Sequence, residues 1–339
     1  MKKKLFIFSN ESIYTSNDKF YCDNLDLKTT PEGLNKKFDV NLFGRKSFQK
    51  KAHEIKINKI RVFSNIFTYL LELKKVLKNK EAKFLIISIS PYTFLISLFI
   101  KILGQKPIVY LRSDGYEEYK AILGKIGPTI YHLMFSIIGA ISNLISCRNH
   151  ILRGKKGKII SPSQLDSVWL RQPKNLDIKN FKLLYVGRIR VEKGIFSLAE
   201  LIKNKRDISL TIIGAEKGRL SGINQSNIKI LPRIINKTKF IKCYDDHNVF
   251  ILPSFTEGHP MVLLEALARR RPVVIFEEIR HVIGEKQGIY VSKRNFVSLL
   301  GTLNKIKKNQ RKIQKDTKKN KLPLYKDYIE KFSQGILSL

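Results

Sequence analysis

Along most of its length the chain alternates two kinds of apolar segment, and that alternation leaves few folds open. Short runs rich in β-branched residues are Lys4–Phe8 (KLFIF), Phe38–Leu42, FLIISIS, PIVYLR, NLISC and GKIISPS. Between them lie longer runs of helical period, such as Ile66–Leu77, IFTYLLELKKVL. Apolar positions three and four apart mark a helix face, and short unbroken runs mark strands buried on both sides. The order predicts βαβ units, a parallel sheet with helices on both faces. At 171–180 the pattern stops: RQPKNLDIKN is polar, contains a proline and has no period, so it reads as a linker. Alternation then resumes with KLLYVGRI, a helix from Gly194 to about Asn204, SLTIIG, IKILPRI, a helix near Lys237–Tyr244, NVFILPS, a helix from Pro260 to about Arg269, and PVVIFEE. The expectation is an α/β chain of two doubly wound Rossmann-like domains, 1–170 and 181–300, facing across a cleft. A basic segment, 301–339, follows and closes with a packed helix. A chain of 339 residues is long enough to give each domain its own core.

Charge narrows the partners. Lys and Arg number 64 against 28 Asp and Glu, a net +36 spread over both halves. Such a field favours nucleic acid, an anionic membrane surface or phosphorylated ligands, although a lysine-rich base composition produces the same excess without function. No RNP, KH, zinc-finger or helix-turn-helix signature is present, so no specific nucleic-acid partner is expected, and a basic nucleic-acid-binding protein is the alternative reading. Cys22, Cys147 and Cys243 lie far apart and form no CxxC pair, which argues against a disulfide scaffold or structural zinc and fits a reducing, cytoplasmic setting. The opening MKKKLFIFSNES has too short an apolar run for a signal peptide, which needs about 7–15 residues. Phe84–Ile100 carries no charge but is broken by Pro91. Ile126–Cys147 is also charge-free, and reads as a helix over about Thr129–Gly139 followed by a strand. Flanked by Lys125 and Arg148, with basic runs at Lys2–Lys4 and Phe48–Lys59, it reads either as a core helix or as a face docked on anionic lipid from the cytoplasmic side.

Two segments carry chemistry. In FILPSFTEGHPMVLLEALARRRPVVIF, a strand delivers a loop holding Glu257, Gly258 and His259, and Pro260 opens a helix. Backbone N–H groups from about Gly258 through His259, Pro260 and Met261 to Val262, proline excepted, then face the crevice beyond the strand ends, an anion site favoured by the helix dipole. Glu257 and Glu265 bracket it. Carboxylates beside a phosphate site suit sugar or ribose hydroxyls; a loop cap and an ordinary helical glutamate are the other reading, and the residues leave both open. In KLLYVGRIRVEKGIFSL, Gly187 and Arg188 end a strand and Lys193 precedes a helix. An Arg fork and a Lys point charge there would clamp a diphosphate leaving group.

Taken together, VGRIRVEKG and, some sixty residues on, LPSFTEGHPMVLLEALARRRPVV resemble the GR…KG and Glu-x7-Glu (EGxP…EA) motifs of family 4 glycosyltransferases of the GT-B fold, over about residues 155–295. The resemblance implies a retaining transfer of sugar from a UDP-, GDP- or ADP-sugar to a hydroxyl acceptor, without a protein nucleophile. By that resemblance Arg188 and Lys193 hold the diphosphate and Glu265 the ribose. Glu257 with Gly258, His259, Pro260 and Met261 faces the sugar and phosphates, and Arg233 and Ile234, in LPRI, lie at the base-binding segment. The first half departs from the pattern: where many relatives carry a glycine-rich loop, this chain has SNESIYTSND. Arg112, Ser113 and Asp114, in LRSDGYEEY, are the candidate replacement on the acceptor side, and a plain Asp114-Gly115 turn is the competing reading. A non-catalytic membrane-surface partner of the same fold is a further alternative. Asp245 and Asp246 are adjacent and precede a strand at its amino end, so they read as a helix-to-strand turn; with no histidine ligand spacing, no metal is expected. The product would be a cell-surface glycan or lipopolysaccharide, its acceptor lipid-linked.

Overall fold

The computed structural model describes residues 2–77, 81–215 and 225–339. They form two compact units, Met1–Ser161 with Lys326–Leu339, and Pro162–Tyr325. Each is a largely parallel sheet with helices on its faces, the expected class.

In the first unit the strands are Lys4–Ser16 (β1), Lys19–Cys22 (β2), Asp39–Ser47 (β3), His53–Ile55 (β4), Ile60–Phe63 (β5), Lys83–Ile87 (β6), Ile108–Leu111 (β7), Asn143–Ser146 (β8) and Lys158–Ile159 (β9). The parallel order is β5-β3-β1-β6-β7-β8-β9. Phe6, Phe8, Phe43 and Phe84 pack from one sheet face against Tyr69, Ile96, Ile100, Tyr131 and Phe135 of the helices. The sequence predicts β1 to end at Phe8. It runs on to Ser16 across a register shift between Phe8 and Ser12, so SNESIYTSND is strand and turn. Asn17 and Asp18 take positive φ, 47° and 57°, and join Ser16 to its partner Lys19 in a two-residue hairpin. Asn and Asp tolerate that region and mirror-image turns match the strand twist, so no glycine is needed.

The second unit holds Phe181–Val186 (β10), Ile208–Ala215 (β11), Ile228–Pro232 (β12), Val249–Leu252 (β13), Val273–Phe276 (β14) and Ile289–Ser292 (β15). All pairs are parallel, in the order β12-β11-β10-β13-β14-β15. In β10, Leu183 and Tyr185 enter one core with Ile195, Leu198, Leu299 and Leu303. Leu184 enters the opposite core with Leu263, Leu264 and Leu267. Burial on both faces is why these strands show no polar alternation. From β10 the chain winds outward to β11 and β12, then returns to place β13 on the other side of β10. The crevice beyond the carboxyl ends of β10 and β13 is therefore the topological switch point, where ligands bind in such sheets.

The units divide at Ser161/Pro162, ahead of the expected linker. Residues 171–180 are irregular but pinned: Leu176 and Ile178 are buried in the second core, and the Asn248 amide donates to the Asn180 carbonyl at 2.7 Å. The basic segment is also ordered. Helices Phe296–Lys308 and Gln310–Lys318 bury Leu299, Leu303, Ile306 and Ile313, while the closing helix, Tyr325–Leu337, packs in the first unit, with Phe332 against Tyr110.

Candidate functional site

The switch point is bounded by the two segments singled out in the sequence. After β10 the chain passes Gly187 and Arg188 to a short 3-10 turn, Val191–Lys193, and reaches helix Ile195–Leu201 through Gly194. Gly194 has φ +65°, and a Cβ there would lie 1.9 Å from the Pro253 carbonyl oxygen. Only glycine lets this loop lie so close to the one after β13. The buried Tyr185 hydroxyl donates to the Arg188 carbonyl at 2.9 Å, fixing the bend and leaving the Arg188 side chain exposed.

The loop after β13 carries Glu257. Its Oε1 accepts from Lys193 Nζ and from Ser254 Oγ, both at 2.7 Å. His281 Nε2 donates to the Glu257 carbonyl at 2.7 Å, and Phe255 N–H to the Glu192 carbonyl at 3.0 Å. Glu257 thus closes its own loop, as the loop-cap reading has it, and holds Lys193. Burial, with the Glu257 carboxylate nearby, pushes the Tyr185 phenol up. His259 Nε2 lies 3.0 Å from the Pro162 carbonyl oxygen. Pro260 proves to be the N-cap and the helix runs Met261–Ala268, one residue later than predicted. No side chain caps that helix, so the amides of Met261 and Val262 stand at its positive end without a side-chain cap.

Glu265 is buried, and its Oε2 accepts a 2.6 Å hydrogen bond from the Tyr244 hydroxyl. It is no surface carboxylate: taking a charge out of water is costly unless it is hydrogen-bonded. Tyr244 stands among Trp169, Phe240 and Phe250. Arg233 lies exposed just past β12, with Ile234 half-buried beside it. Asp245 is bound by Arg269, at 2.9 and 2.6 Å, at the end of its helix, Lys237–Asp246. Among the described residues no group of three or more metal-ligating side chains occurs.

Two residues escaped the sequence reading. Arg294 donates to the Pro253 carbonyl at 3.0 Å and to Glu278 at 2.7 Å, with its guanidinium over the Phe255 and Phe276 rings. Tyr244 orients Glu265. Neither has a local signal, because each acts on a distant loop.

On the first unit, Asp114 serves the fold. It caps helix Gly115–Leu123, accepting from Tyr116 N–H at 3.0 Å, and pairs with Arg153 at 2.7 Å. The expected turn is a helix start. Arg112 lies just past β7, where Asp26 and Glu11 outweigh burial and hold its guanidinium charged; Ser113 is half-buried beside it.

Comparison with known proteins agrees with this geometry. Residues 169–322 match the family model described as Glycosyl transferases group 1. A putative teichuronic acid biosynthesis glycosyltransferase of Bacillus subtilis, TuaC, is 26% identical over 42% of this chain and 36% of its own length. The capsular polysaccharide biosynthesis glycosyltransferase CapM of Staphylococcus aureus is 24% identical over 80% of this chain and 81% of its own. Among solved structures, sucrose-phosphate synthase of Thermosynechococcus elongatus superposes with a TM-score of 0.71 at 14% identity over 98% of both chains. Anabaena HepE, in complex with UDP and glucose, superposes with a TM-score of 0.69 at 13% identity over 98% of this chain and 99% of that one. Residues 169–322 are thus similar to the glycosyl transferases group 1, and the chain resembles the family 4 glycosyltransferases of the GT-B fold.

Proposed function

We propose that the protein is a retaining glycosyltransferase that moves a sugar from a nucleoside diphosphate to a hydroxyl acceptor during cell-surface polysaccharide synthesis. The observation that carries this reading is the set of groups around the switch point of the second sheet: Lys193, Glu257, the uncapped helix start at Met261 and the buried Glu265. The roles divide by chemistry. Lys193, Arg188 and the helix amides neutralise the departing diphosphate, and Glu265 accepts hydrogen bonds from ribose hydroxyls. Glu257 keeps Lys193 in place and faces the sugar. The sugar–phosphate C–O bond breaks as the acceptor oxygen bonds from the same face, and the acceptor proton leaves on the phosphate. Side-chain cations and backbone N–H dipoles supply the neutralisation, so turnover should survive chelation of divalent ions. The functions of the Bacillus and Staphylococcus relatives support an acceptor in a growing cell-surface glycan, and the UDP complex of HepE supports a nucleotide-sugar donor. A melting-temperature panel of UDP-, GDP- and ADP-sugars tests the donor, since a ligand of the native state alone raises the melting point. Donor-dependent product of the same anomeric configuration upholds the reading. No shift with any nucleotide sugar, or an inverted product, overturns it.

A further inference from the structure

The apolar segment Gly115–Ile141 of the first unit does not form one long helix. Helix Gly115–Leu123 and helix Gly127–Ile141 are joined by a 3-10 turn, Gly124–Ile126, and the chain folds back on itself there. Tyr116 meets Tyr131 with ring centroids 4.9 Å apart and Phe135 at 5.9 Å, and Tyr119 meets Tyr131 at 5.3 Å. One straight helix would hold residues fifteen apart about 22 Å from each other. Although Gly115–Ile141 is apolar and long enough to cross a bilayer, a span would have to pull Tyr131, Met134, Phe135 and Ile138 out of the core. The core reading and the membrane reading of this segment thus apply to opposite faces of one hairpin.

The outward face is apolar where a soluble surface would be polar. Ile122, Ile126 and Leu133 are 73%, 68% and 63% exposed, with Leu123 and Ile130 beside them. Exposed aliphatics gathered at one hairpin tip mark an interaction surface. Charge selects the partner. Lys120 and Lys125 stand at the tip, both exposed. The hairpin's acidic residues, Glu117 and Glu118, lie in its first turn, and Asp114 is spent on its cap and on Arg153.

We propose that this hairpin tip docks the protein on an anionic lipid bilayer, its aliphatics entering the headgroup boundary and its lysines meeting lipid charge. Buried apolar area and attraction to anionic lipid together set the strength of such docking. The inference is independent of the transferase reading, because the surface lies wholly within the first unit.

The test is co-sedimentation of the full chain with vesicles of phosphatidylcholine alone and of phosphatidylcholine with phosphatidylglycerol, at low and physiological salt. Binding to the mixed vesicles, weakening with salt, is expected. The pair Ile126→Asp and Leu133→Asp, and separately Lys120→Glu with Lys125→Glu, should each weaken it by about tenfold or more. All four side chains are exposed, so melting temperature and donor hydrolysis should stay at wild-type values. Ile126→Trp supplies a direct readout: its emission should shift to the blue on mixed vesicles, against a constant background from the buried Trp169. Absence of vesicle binding, or binding that survives both pairs of substitutions, overturns the proposal. So does a dimer that Ile126→Asp dissociates without any lipid affinity, which would assign the face to a second copy of the chain.

Discussion

Tyr244→Phe separates a ribose-binding Glu265 from a merely structural one. The substitution removes one oxygen and keeps the ring that packs on Trp169, Phe240 and Phe250. What is lost is a 2.6 Å hydrogen bond to a buried carboxylate. Bonds to charged groups contribute about 1.5–3 kcal/mol, and here the acceptor stays behind in the core with one donor fewer. For a unit of this size each kcal/mol moves the melting point by about 2–4 °C, so a fall of roughly 4–8 °C is expected. Burial, then the Glu265 carboxylate, pushes the Tyr244 phenol well above its ordinary 10, so it stays protonated and donating throughout the neutral range. Because the folded value is the raised one, the associated stability is complete below pH 10 and declines above it.

Function gives the sharper reading. If Glu265 grips the ribose, Tyr244→Phe should weaken nucleotide binding several-fold through looser positioning, and Glu265→Ala should weaken it more. Glu265→Gln should be milder than Glu265→Ala, because the amide oxygen still accepts from Tyr244. Calorimetric titration with the nucleotide, beside thermal unfolding by circular dichroism, measures both effects. In the double variant Tyr244→Phe with Glu265→Gln, the losses should be less than additive, since the two groups share one bond. Wild-type melting and wild-type affinity in Tyr244→Phe would refute the argument. A melting loss with unchanged affinity in Glu265→Ala would leave the bond standing and remove Glu265 from the donor site.

Arg188→Ala and Lys193→Ala should each lower turnover by about two to three orders of magnitude, with the melting point retained, measured as released nucleoside diphosphate. Arg269→Met should destabilise the second unit by about 3–5 kcal/mol in urea unfolding, because it removes the nearer of the two cations on Asp245, Arg271 staying at 3.9 Å, and leaves the carbonyls of Trp169, Arg171 and Gln172 without the Arg269 donor. Burial pushes the thiols of Cys22 and Cys147 up to about 12, so at pH 8 the native protein should show one readily modified thiol, Cys243, and three when denatured. The same two thiols make stability fall as pH rises past 9, since the unfolded chain ionises them first; equal urea midpoints at pH 8 and pH 10 would contradict this.

The parts of the fold legible in the sequence are those whose signal is local. Strands buried on both faces, such as β10 and β13, are short apolar runs, and Asn65, Ser90 and Asn236 each cap a helix that begins at the next residue. The hairpin strands β2 and β4 escaped because they are half-exposed edge pieces with mixed polarity, and β1 looked short because beyond its register shift it continues as mostly half-exposed polar residues, paired with β3 and with β2. The unit boundary escaped for a different reason. Pro, Lys and Asn at 171–180 look like a linker, yet that stretch is held by Arg269 and Asn248 from far along the chain. Composition reports what a segment can do by itself, and tertiary hydrogen bonds can pin a segment with no preference of its own.

The same distinction governs the site. Glu257 and Glu265 were visible because helix period and a motif place them eight residues apart on one loop and helix. Lys193 was visible because glycine, lysine and a helix start lie together in sequence. Arg294 was not visible, for with 64 basic residues in the chain nothing marks one arginine as the brace of a loop forty residues upstream. Its work is nevertheless definite. The Pro253 carbonyl it holds is the atom that a Cβ on Gly194 would strike, so Arg294 and Gly194 together fix how near the β10 loop comes to the β13 loop. That approach lets Lys193 reach Glu257 at 2.7 Å. Arg294→Lys should therefore lower turnover while keeping the fold: an ammonium reaching Glu278 cannot also cover both rings and the carbonyl, because it lacks the planar fork. A lower turnover with the donor's affinity also reduced, and partial recovery of neither by added salt, is the expected pattern. Wild-type turnover in Arg294→Lys would show that the loop holds its shape without the fork, and that Gly194 and the Glu257 hydrogen bonds alone position the lysine.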